Sequence, residues 1–403
     1  MVVVVPLQSF VPTRHPACLP TVALTCADSS LHRRLCHHRH HTAMAAALAL
    51  AKTRRALTRH STNTIAATAA SPTRRAMTNA TSTAPLLPAL ATPDAVAKLL
   101  THADAAARAR ICVLDTTWHM PHFKRDPLAE FHHGPRLPRA QFWDIDALAQ
   151  HGTDLPHMLP VTESGLAQLR AQLADPTRDG ARGQPLVRMG QHVVVYDRAV
   201  VPARTACRVW WTLRALGWPV DRVSVLDGGM DAWTKAGLPI EPEGTSPAPL
   251  AEADPDVAAL LKDMPVWQPT TVDQELIRDF EFMKTYLDIV QVVDARPPGR
   301  FAGRDPEPRP GLSSGHMQGA LSIPAGAMLD PASGKFWPRG KLAEIFATLS
   351  KDKDVVASCG SGVTAAVVAF GMHLVDPNKK VPIYDGSWTE WASRGMPIVK
   401  DAE

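Results

Sequence analysis

The chain repeats itself at a long interval, and this duplication limits its fold more than any other feature. A pattern of Asp-Gly, Trp, Gly and Pro-Ile begins at Asp227 and again at Asp385, with a constant separation of 158 residues. Solenoid repeats are far shorter, roughly 20–50 residues, so this spacing indicates a duplicated domain. A chain of 403 residues is long enough for two such domains.

Short apolar strands alternate with helical stretches in both copies. The first copy opens with Ile111–Asp115 and the second with Val290–Asp294, while Val193–Asp197 parallels Val355–Cys359. This alternation predicts an α/β fold of two tandem domains, each a parallel sheet flanked by helices on both faces. We place the first domain at 91–245 and the second at 271–403. The Pro-rich and acidic composition around Glu241–Pro255 predicts a linker at 246–270.

The first 90 residues have the composition of a targeting region. They contain ten Lys or Arg against Asp28 alone (net +9), which leaves 33 basic and 38 acidic residues (net −5) for the rest. We expect 1–90 to be a disordered targeting segment, with Met44–Ala91 typical of a mitochondrial presequence. We therefore predict a mitochondrial matrix protein, translated from Met44, with Met77 as a start for a cytoplasmic form. A secretory signal is disfavoured because Pro6 interrupts the apolar stretch.

Charge and hydropathy exclude two classes of partner. The mildly acidic remainder argues against nucleic-acid binding. No apolar run approaches the roughly 20 residues that span a bilayer, so we expect no membrane insertion.

The six cysteines are widely spaced, with no CxxC pair and no zinc-site spacing. We expect free thiols in a reducing compartment, and neither a metal nor a cofactor. The histidines of 37–41 could bind metal, but a disordered extension is the preferred interpretation. Cys112 and Cys207 lie in apolar segments, and we interpret them as core thiols.

Cys359 is different, because it stands between a buried strand and a glycine-rich turn that leads into a helix. Gly360 and Gly362 are expected to adopt positive φ, which would direct successive backbone amides at the Cys359 sulfur. Such amides and the helix dipole favour a thiolate or a persulfide anion. A structural cysteine would not need such a loop. The first copy has Asp197 at the matching position, so we predict that its domain is catalytically silent.

Several motifs together resemble the two-domain rhodanese-type sulfurtransferases, and within them the 3-mercaptopyruvate sulfurtransferases. They lie at Leu137–Asp146, Asp154–Pro160, Arg208–Trp211, Gly299–Arg309, Cys359–Ala365 and Asp385–Trp391. The resemblance covers nearly all of 110–398 and implies two rhodanese-like domains. The chain departs from the family at Arg136, at His316–Gly319 and at Ala366.

The resemblance also implies roles for particular residues. Arg300 and Arg309 would bind the carboxylate of an α-keto acid, as planar guanidinium groups suit a carboxylate. The donor would also contact Gly360, Gly362, Val363 and Thr364. Asp146 and His157 match positions proposed to form a proton relay with Ser361; the alternative is that this pair braces the domain interface. Arg296 and Arg304 are expected to be surface or structural charges.

The expected reaction is sulfur transfer through a persulfide on Cys359. The neutral pair Gly360-Ser361 favours 3-mercaptopyruvate over the thiosulfate dianion. The resemblance implies thioredoxin, a small thiol or cyanide as acceptor, and a monomer. Two alternatives stay open, namely thiosulfate sulfurtransferase and a persulfide relay for tRNA thiolation.

Two other classes fit less well. A Cys-based phosphatase of the related fold needs an arginine six residues after its cysteine, and position 365 is Ala. A non-catalytic scaffold module would be expected to lack Cys359.

Overall fold

The computed structural model describes residues 86–174, 187–198 and 204–401, which all lie in one compact unit, Thr81–Glu403. Of the predicted targeting region, only positions 86–90 are described. The presequence, the histidines of 37–41, Cys18, Cys26 and Cys36 lie outside the described residues. In the described part of the chain, no helix is long and apolar enough to cross a membrane.

The first half of the unit is built on a five-stranded parallel sheet with the order β1-β5-β4-β2-β3. Its strands are β1 (Leu90–Ala91), β2 (Ile111–Asp115), β3 (Ala140–Phe142), β4 (His192–Tyr196) and β5 (Val223–Leu226). Its helices are α1 (Pro93–Leu100), α2 (Ala105–Ala109), α3 (Pro127–His133), α4 (Glu163–Ala174), α5 (Arg204–Ala215) and α6 (Gly229–Lys235).

The second half repeats the same topology, with the order β6-β10-β9-β7-β8 and all strands parallel. Its strands are β6 (Ile277–Arg278), β7 (Gln291–Asp294), β8 (Leu321–Ser322), β9 (Val355–Ser358) and β10 (Ile383–Tyr384). Its helices are α9 (Phe280–Tyr286), α10 (Pro298–Ala302), α11 (Arg339–Ile345), α12 (Ala365–Val375) and α13 (Ser387–Ser393). The predicted fold class is therefore confirmed.

The strands form where the sequence is continuously apolar. Every residue of β2, β4, β7 and β9 is buried, as expected for parallel strands that are covered on both faces. Side chains that accept hydrogen bonds from backbone amides start several helices, for example Asp126 at α3 and Asp279 at α9.

The segment that connects the halves is more ordered than its composition indicated. It contains two short helices, α7 (Leu250–Ala253) and α8 (Pro255–Leu261). Val257 and Leu261 are buried against Ala109 of α2, because α8 presents apolar residues to the first half. The connection therefore packs as part of the first half's surface.

Helices α5 and α12 pack against each other across the two halves. Trp210 of α5 meets Phe370 of α12 edge to face, with ring centroids 4.8 Å apart. Trp210 and Trp211 are fully buried, as are Trp388 and Trp391 in the second half.

Candidate active site

A cavity of about 540 Å³ opens where the two halves meet. Its second-half wall includes Cys359 and the loop that follows it, together with Arg300 and Arg309. Its first-half wall comes from the segment after β2 and contains Trp118, Met120, His122 and Phe123. The cavity volume lies in the range of small-molecule sites.

Cys359 stands at the carboxyl end of β9 and forms part of the cavity wall, although only 2% of the residue is exposed. The thiol is free, as are the buried thiols of Cys112 and Cys207. The interpretation of those two as core residues agrees with their 3% and 0% exposure.

The loop after Cys359 is held by the start of α13. The Ser387 hydroxyl oxygen accepts hydrogen bonds from the amides of Cys359 (3.2 Å) and Gly362 (3.0 Å), and donates one to the Tyr384 carbonyl (2.7 Å). Thr389 donates from its amide and its hydroxyl to the Gly360 carbonyl, at 3.0 and 2.6 Å. These bonds fix the loop rigidly.

Four amides of the loop have no hydrogen-bond acceptor among the described residues. They belong to Gly360, Ser361, Val363 and Thr364. They immediately precede α12, an 11-residue helix. Unpaired amides at a helix N-terminus are the groups that bind an anion.

The two loop glycines have different roles, and the expectation of positive φ was right for only one. Gly362 has φ +75°, but Gly360 does not lie in the left-handed region. Gly360 instead lies close to the arginines: a Cβ at this position would lie 3.2 Å from Arg300 Nη2, a tight contact, and 3.9 Å from Arg309 Nη1, an ordinary one. A Cβ at Gly362 would lie 2.8 Å from Arg208 Nη1.

The structure therefore brings both predicted arginines to the cysteine loop. Arg309 Nη1 lies 3.5 Å from the Thr389 hydroxyl, and no carboxylate pairs with Arg309 among the described residues. Burial lowers the pKa of Arg309, while the charges of Cys359 and Glu307 oppose that change. An arginine remains cationic at neutral pH even so.

Glu307 holds the guanidinium of Arg300 in place. Its carboxylate binds Arg300 Nη2 at 2.5 Å and Arg296 Nη1 at 2.7 Å. Arg296 is 1% exposed and also pairs with Asp294 at 2.6 Å, so it is a buried structural charge and not a surface one. Arg304 is exposed, as expected.

Asp146 and His157 form a close pair beside this cavity. Asp146 Oδ1 lies 2.6 Å from His157 Nδ1, and Asp146 Oδ2 accepts from Trp118 Nε1 at 2.8 Å. Although burial alone would raise it, hydrogen bonds from His157 and Trp118 hold the pKa of Asp146 below its usual value. His157 Nε2 is buried without a hydrogen-bond partner in the described residues, and no hydrogen bond joins it to Ser361.

His157 of this pair also lies at the contact between the two halves. His157 has φ +60°, and its carbonyl accepts a hydrogen bond from Arg208. Arg208 pairs with Asp385 at 2.7 Å, and the Asp385 carboxylate accepts from the Leu159 amide at 2.6 Å. The relay interpretation and the bracing interpretation of His157 are therefore both compatible with its position.

Asp197 occupies the matching strand end in the first half. Its carboxylate accepts hydrogen bonds from the amides of Thr205 (2.9 Å) and Ala206 (3.0 Å) at the start of α5. Its carbonyl accepts from Met230, as the Cys359 carbonyl accepts from Trp388. The amides at the start of α5 are thus already bound by a fixed anion, the Asp197 carboxylate.

Sequence reasoning missed several residues of the site. The wall at Trp118–Phe123 and the bracing residues Ser387, Thr389 and Glu307 were not predicted. One signal was available for Ser387: the duplicated Asp-Gly is followed by Gly229 in the first copy and by serine in the second. In the described part of the chain, no group of three or more His, Cys, Asp or Glu side chains could hold a metal ion.

Comparison with known proteins places this architecture in a family. The rhodanese-like domain model matches residues 155–236 and 281–394. The chain is 36% identical over 296 residues to the mitochondrial thiosulfate/3-mercaptopyruvate sulfurtransferase 1 of Arabidopsis thaliana, covering 71% of this chain and 73% of that protein. This chain belongs to the rhodanese-type sulfurtransferases.

Other members of the rhodanese-type sulfurtransferases are similar over comparable lengths. Human 3-mercaptopyruvate sulfurtransferase is 35% identical over 298 residues, which cover 71% of this chain and 86% of the human protein. The crystal structure of the Tum1 protein from Saccharomyces cerevisiae superposes with a TM-score of 0.63 at 28% identity, covering 79% of this chain and all of that one. The sequence resemblance to this sulfurtransferase family is thereby confirmed.

Proposed function

We propose that the chain takes sulfur from 3-mercaptopyruvate through a persulfide on Cys359 and passes it to a thiol or cyanide. The observation that carries this proposal is the position of Arg300 and Arg309 over Gly360, next to Cys359 in one cavity. A nucleophilic sulfur and two cations at this separation suit a small molecule with a thiol at one end and a carboxylate at the other.

The first half-reaction transfers the sulfur of the donor. The Cys359 thiolate attacks that sulfur, an S–S bond forms, and the C–S bond of the donor breaks. The bonding pair passes to the carbon as the enolate of pyruvate, which takes up a proton, so that pyruvate and the Cys359 persulfide result. Arg300 and Arg309 hold the carboxylate throughout this step.

The second half-reaction regenerates the cysteine. An acceptor thiolate, or cyanide, attacks the outer sulfur of the persulfide, and the S–S bond breaks with its electron pair returning to Cys359. Between the two steps the persulfide anion is stabilised by the unpaired amides of Gly360, Ser361, Val363 and Thr364.

We assign the proton for the enolate to the Asp146–His157 pair, which lies against Trp118 of the cavity wall. Asp146 Oδ1 is 2.6 Å from His157 Nδ1, and His157 Nε2 is buried with no hydrogen-bond partner among the described residues. Because no hydrogen bond joins His157 to Ser361, we assign Ser361 to donor binding through its hydroxyl.

The choice of donor follows from the charge of the loop. Gly360 and Ser361 add no charge near the sulfur, and the two arginines line the same cavity, which suits a carboxylate with a separate thiol. The Arabidopsis relative carries both donor names, so thiosulfate activity is the alternative.

One comparison of donors tests the proposal. The purified full chain should release pyruvate and sulfide from 3-mercaptopyruvate with a thiol acceptor, and its kcat/KM should exceed that for thiosulfate. Cys359→Ser should abolish both activities, while Cys112→Ser should retain them. A clear preference for thiosulfate, or full activity of Cys359→Ser, would overturn the assignment.

We further propose that the first domain (91–245) is catalytically silent, that 246–270 connects it to the catalytic domain (271–403), and that the chain acts as a monomer in the mitochondrial matrix. The Asp197 carboxylate at the site matching Cys359 supports a silent first domain. Thioredoxin or a small thiol is the proposed acceptor. Fractionation of cells that express the full chain tests the location, and an exclusively cytoplasmic signal would contradict it.

A further inference from the structure

A second cavity lies beneath the connecting segment, away from Cys359. Its volume is about 300 Å³, at the lower end of ligand sites, and its walls are mainly apolar. Ile111 and Val113 of β2 form one side, and Pro249 and Leu250 of the connecting segment form another. None of its lining residues belongs to the cavity around Cys359.

One buried cation in this apolar cavity is incompletely paired. Arg139 has a side chain that is 10% exposed, and its Nη2 is buried with no hydrogen-bond partner in the described residues. Its Nη1 reaches only the Arg108 carbonyl, at 3.3 Å. A buried donor left without an acceptor is unfavourable, so a ligand that supplies an acceptor is favoured here.

The neighbouring acids do not satisfy Arg139. Asp254 lies 3.8 Å from Arg139 Nε, but its two oxygens already accept from Arg108 at 2.9 and 3.0 Å. Glu241 accepts from the Arg139 amide and pairs with Arg136 at 2.7 Å.

The remaining polar lining groups add no negative charge. Cys112 accepts a hydrogen bond from Gln141 at 3.4 Å, and burial raises the pKa of its thiol to about 12, so it is neutral at pH 7. Arg188 and Lys262 add two further cations to the lining.

We propose that this cavity binds a small monocarboxylate with an apolar body, whose carboxylate accepts from the incompletely paired guanidinium of Arg139. The apolar part would lie between β2 and the connecting segment, and the site would be occupied independently of sulfur transfer at Cys359. An acid held by both surfaces would tie the connecting segment to the first sheet.

Calorimetric titration with benzoate tests the site, with benzyl alcohol as the neutral probe of similar shape. The background is the full chain carrying Arg300→Met and Arg309→Met, so that the cavity around Cys359 offers no free cation. We expect saturable benzoate binding at neutral pH and at least tenfold weaker binding of benzyl alcohol. Absence of saturable benzoate binding, or equal binding of both probes, would overturn the proposal.

Further variants in that background test the charge of Arg139 and the cavity space separately. Arg139→Met should weaken benzoate binding at least tenfold, and Arg139→Lys should restore part of it. Ala258→Phe should block binding by filling the cavity without changing a charge, which keeps the test valid if Arg139→Met fails to fold. The exposed Arg304→Met is the matched control and should bind normally. Unchanged affinity in Arg139→Met or in Ala258→Phe would refute the proposal.

Discussion

Gly360 and Gly362 flank the same serine, yet each is glycine for a different physical reason. A methyl group at 360 would crowd the Arg300 guanidinium, whereas one at 362 would meet the buried Arg208 and require a left-handed backbone. The first conflict concerns the donor site and the second concerns folding.

Alanine substitutions should separate these two roles. Gly360→Ala should raise KM for 3-mercaptopyruvate while the melting temperature stays within about 2 °C, since surface-like changes cost little stability. Gly362→Ala should lower the free energy of unfolding by roughly 1–3 kcal/mol, because of the positive φ and the contact with Arg208. Steady-state kinetics and urea unfolding measure both. The opposite pattern, with Gly360→Ala unstable and Gly362→Ala stable, would contradict this division.

Arg309 is the cleaner of the two arginines to remove, because no carboxylate in the described part of the chain depends on it. Arg309→Ala should reduce kcat/KM for 3-mercaptopyruvate by the equivalent of about 1.5–3 kcal/mol, the scale of a charge-assisted hydrogen bond. Arg304→Ala removes an exposed arginine from the same segment and should leave the kinetics unchanged. Equal kinetics in both variants would show that the carboxylate is bound elsewhere.

At the scale of elements, the cysteine loop depends on the start of α13 more than on its own sequence. Ser387 holds two loop amides with one oxygen while its own backbone has φ +51°. The matching first-half residue, Gly229, has a similar φ of +57°, but it lacks the hydroxymethyl group. The preceding residues also differ, since Gly228 has φ +76° and Gly386 has φ −66°.

Removing this hydroxyl should loosen the loop. Ser387→Ala leaves two buried amides unpaired, so we expect a loss of about 1–3 kcal/mol in stability and a clear fall in kcat. Ser393→Ala, on the exposed side of the same helix, should change neither. Thermal unfolding and single-turnover persulfide formation test this prediction. A Ser387→Ala enzyme with unaltered stability and kcat would exclude the bracing role.

The sequence predicted features that are local in the chain better than features that depend on contacts between the two halves. The repeat at Asp227 and Asp385 predicted the duplication, and the alternation of apolar strands and helical stretches predicted both sheets, because these patterns are local to each copy. The cysteine loop and both arginines were also found, since motifs of the family carry them. The wall at Trp118–Phe123 was missed, because nothing local shows which loop of one half will face the other. The helices α7 and α8 were missed because prolines and acids are common both in linkers and at helix starts.

At the scale of the whole molecule, the ion pair between Arg208 and Asp385 joins the two halves beside the cysteine loop. Arg208 and Asp385 have side chains that are each 3% exposed, and Arg208 also donates to the Gly362 carbonyl of the cysteine loop. A buried pair of this kind is costly to break from one side, since the remaining charge loses its partner.

Arg208→Met should therefore lower the free energy of unfolding by about 3–5 kcal/mol and reduce activity through the loop. Lys341→Met breaks an exposed pair with Glu344 and should cost less than about 1 kcal/mol. Urea unfolding measures both variants. If the two losses were alike, the buried pair would not be what joins the halves.

The Asp197 carboxylate has a consequence for how the two copies can diverge. Under the proposed cycle, Cys359 is lengthened by an outer sulfur only between the two half-reactions, whereas its counterpart Asp197 carries a permanent charge held by two amides. The first-half site with Asp197 thus permanently resembles the catalytic site in its persulfide form. A chain with aspartate at both positions should consequently be a well-folded, unreactive stand-in for the loaded enzyme, with which acceptors could be captured without turnover.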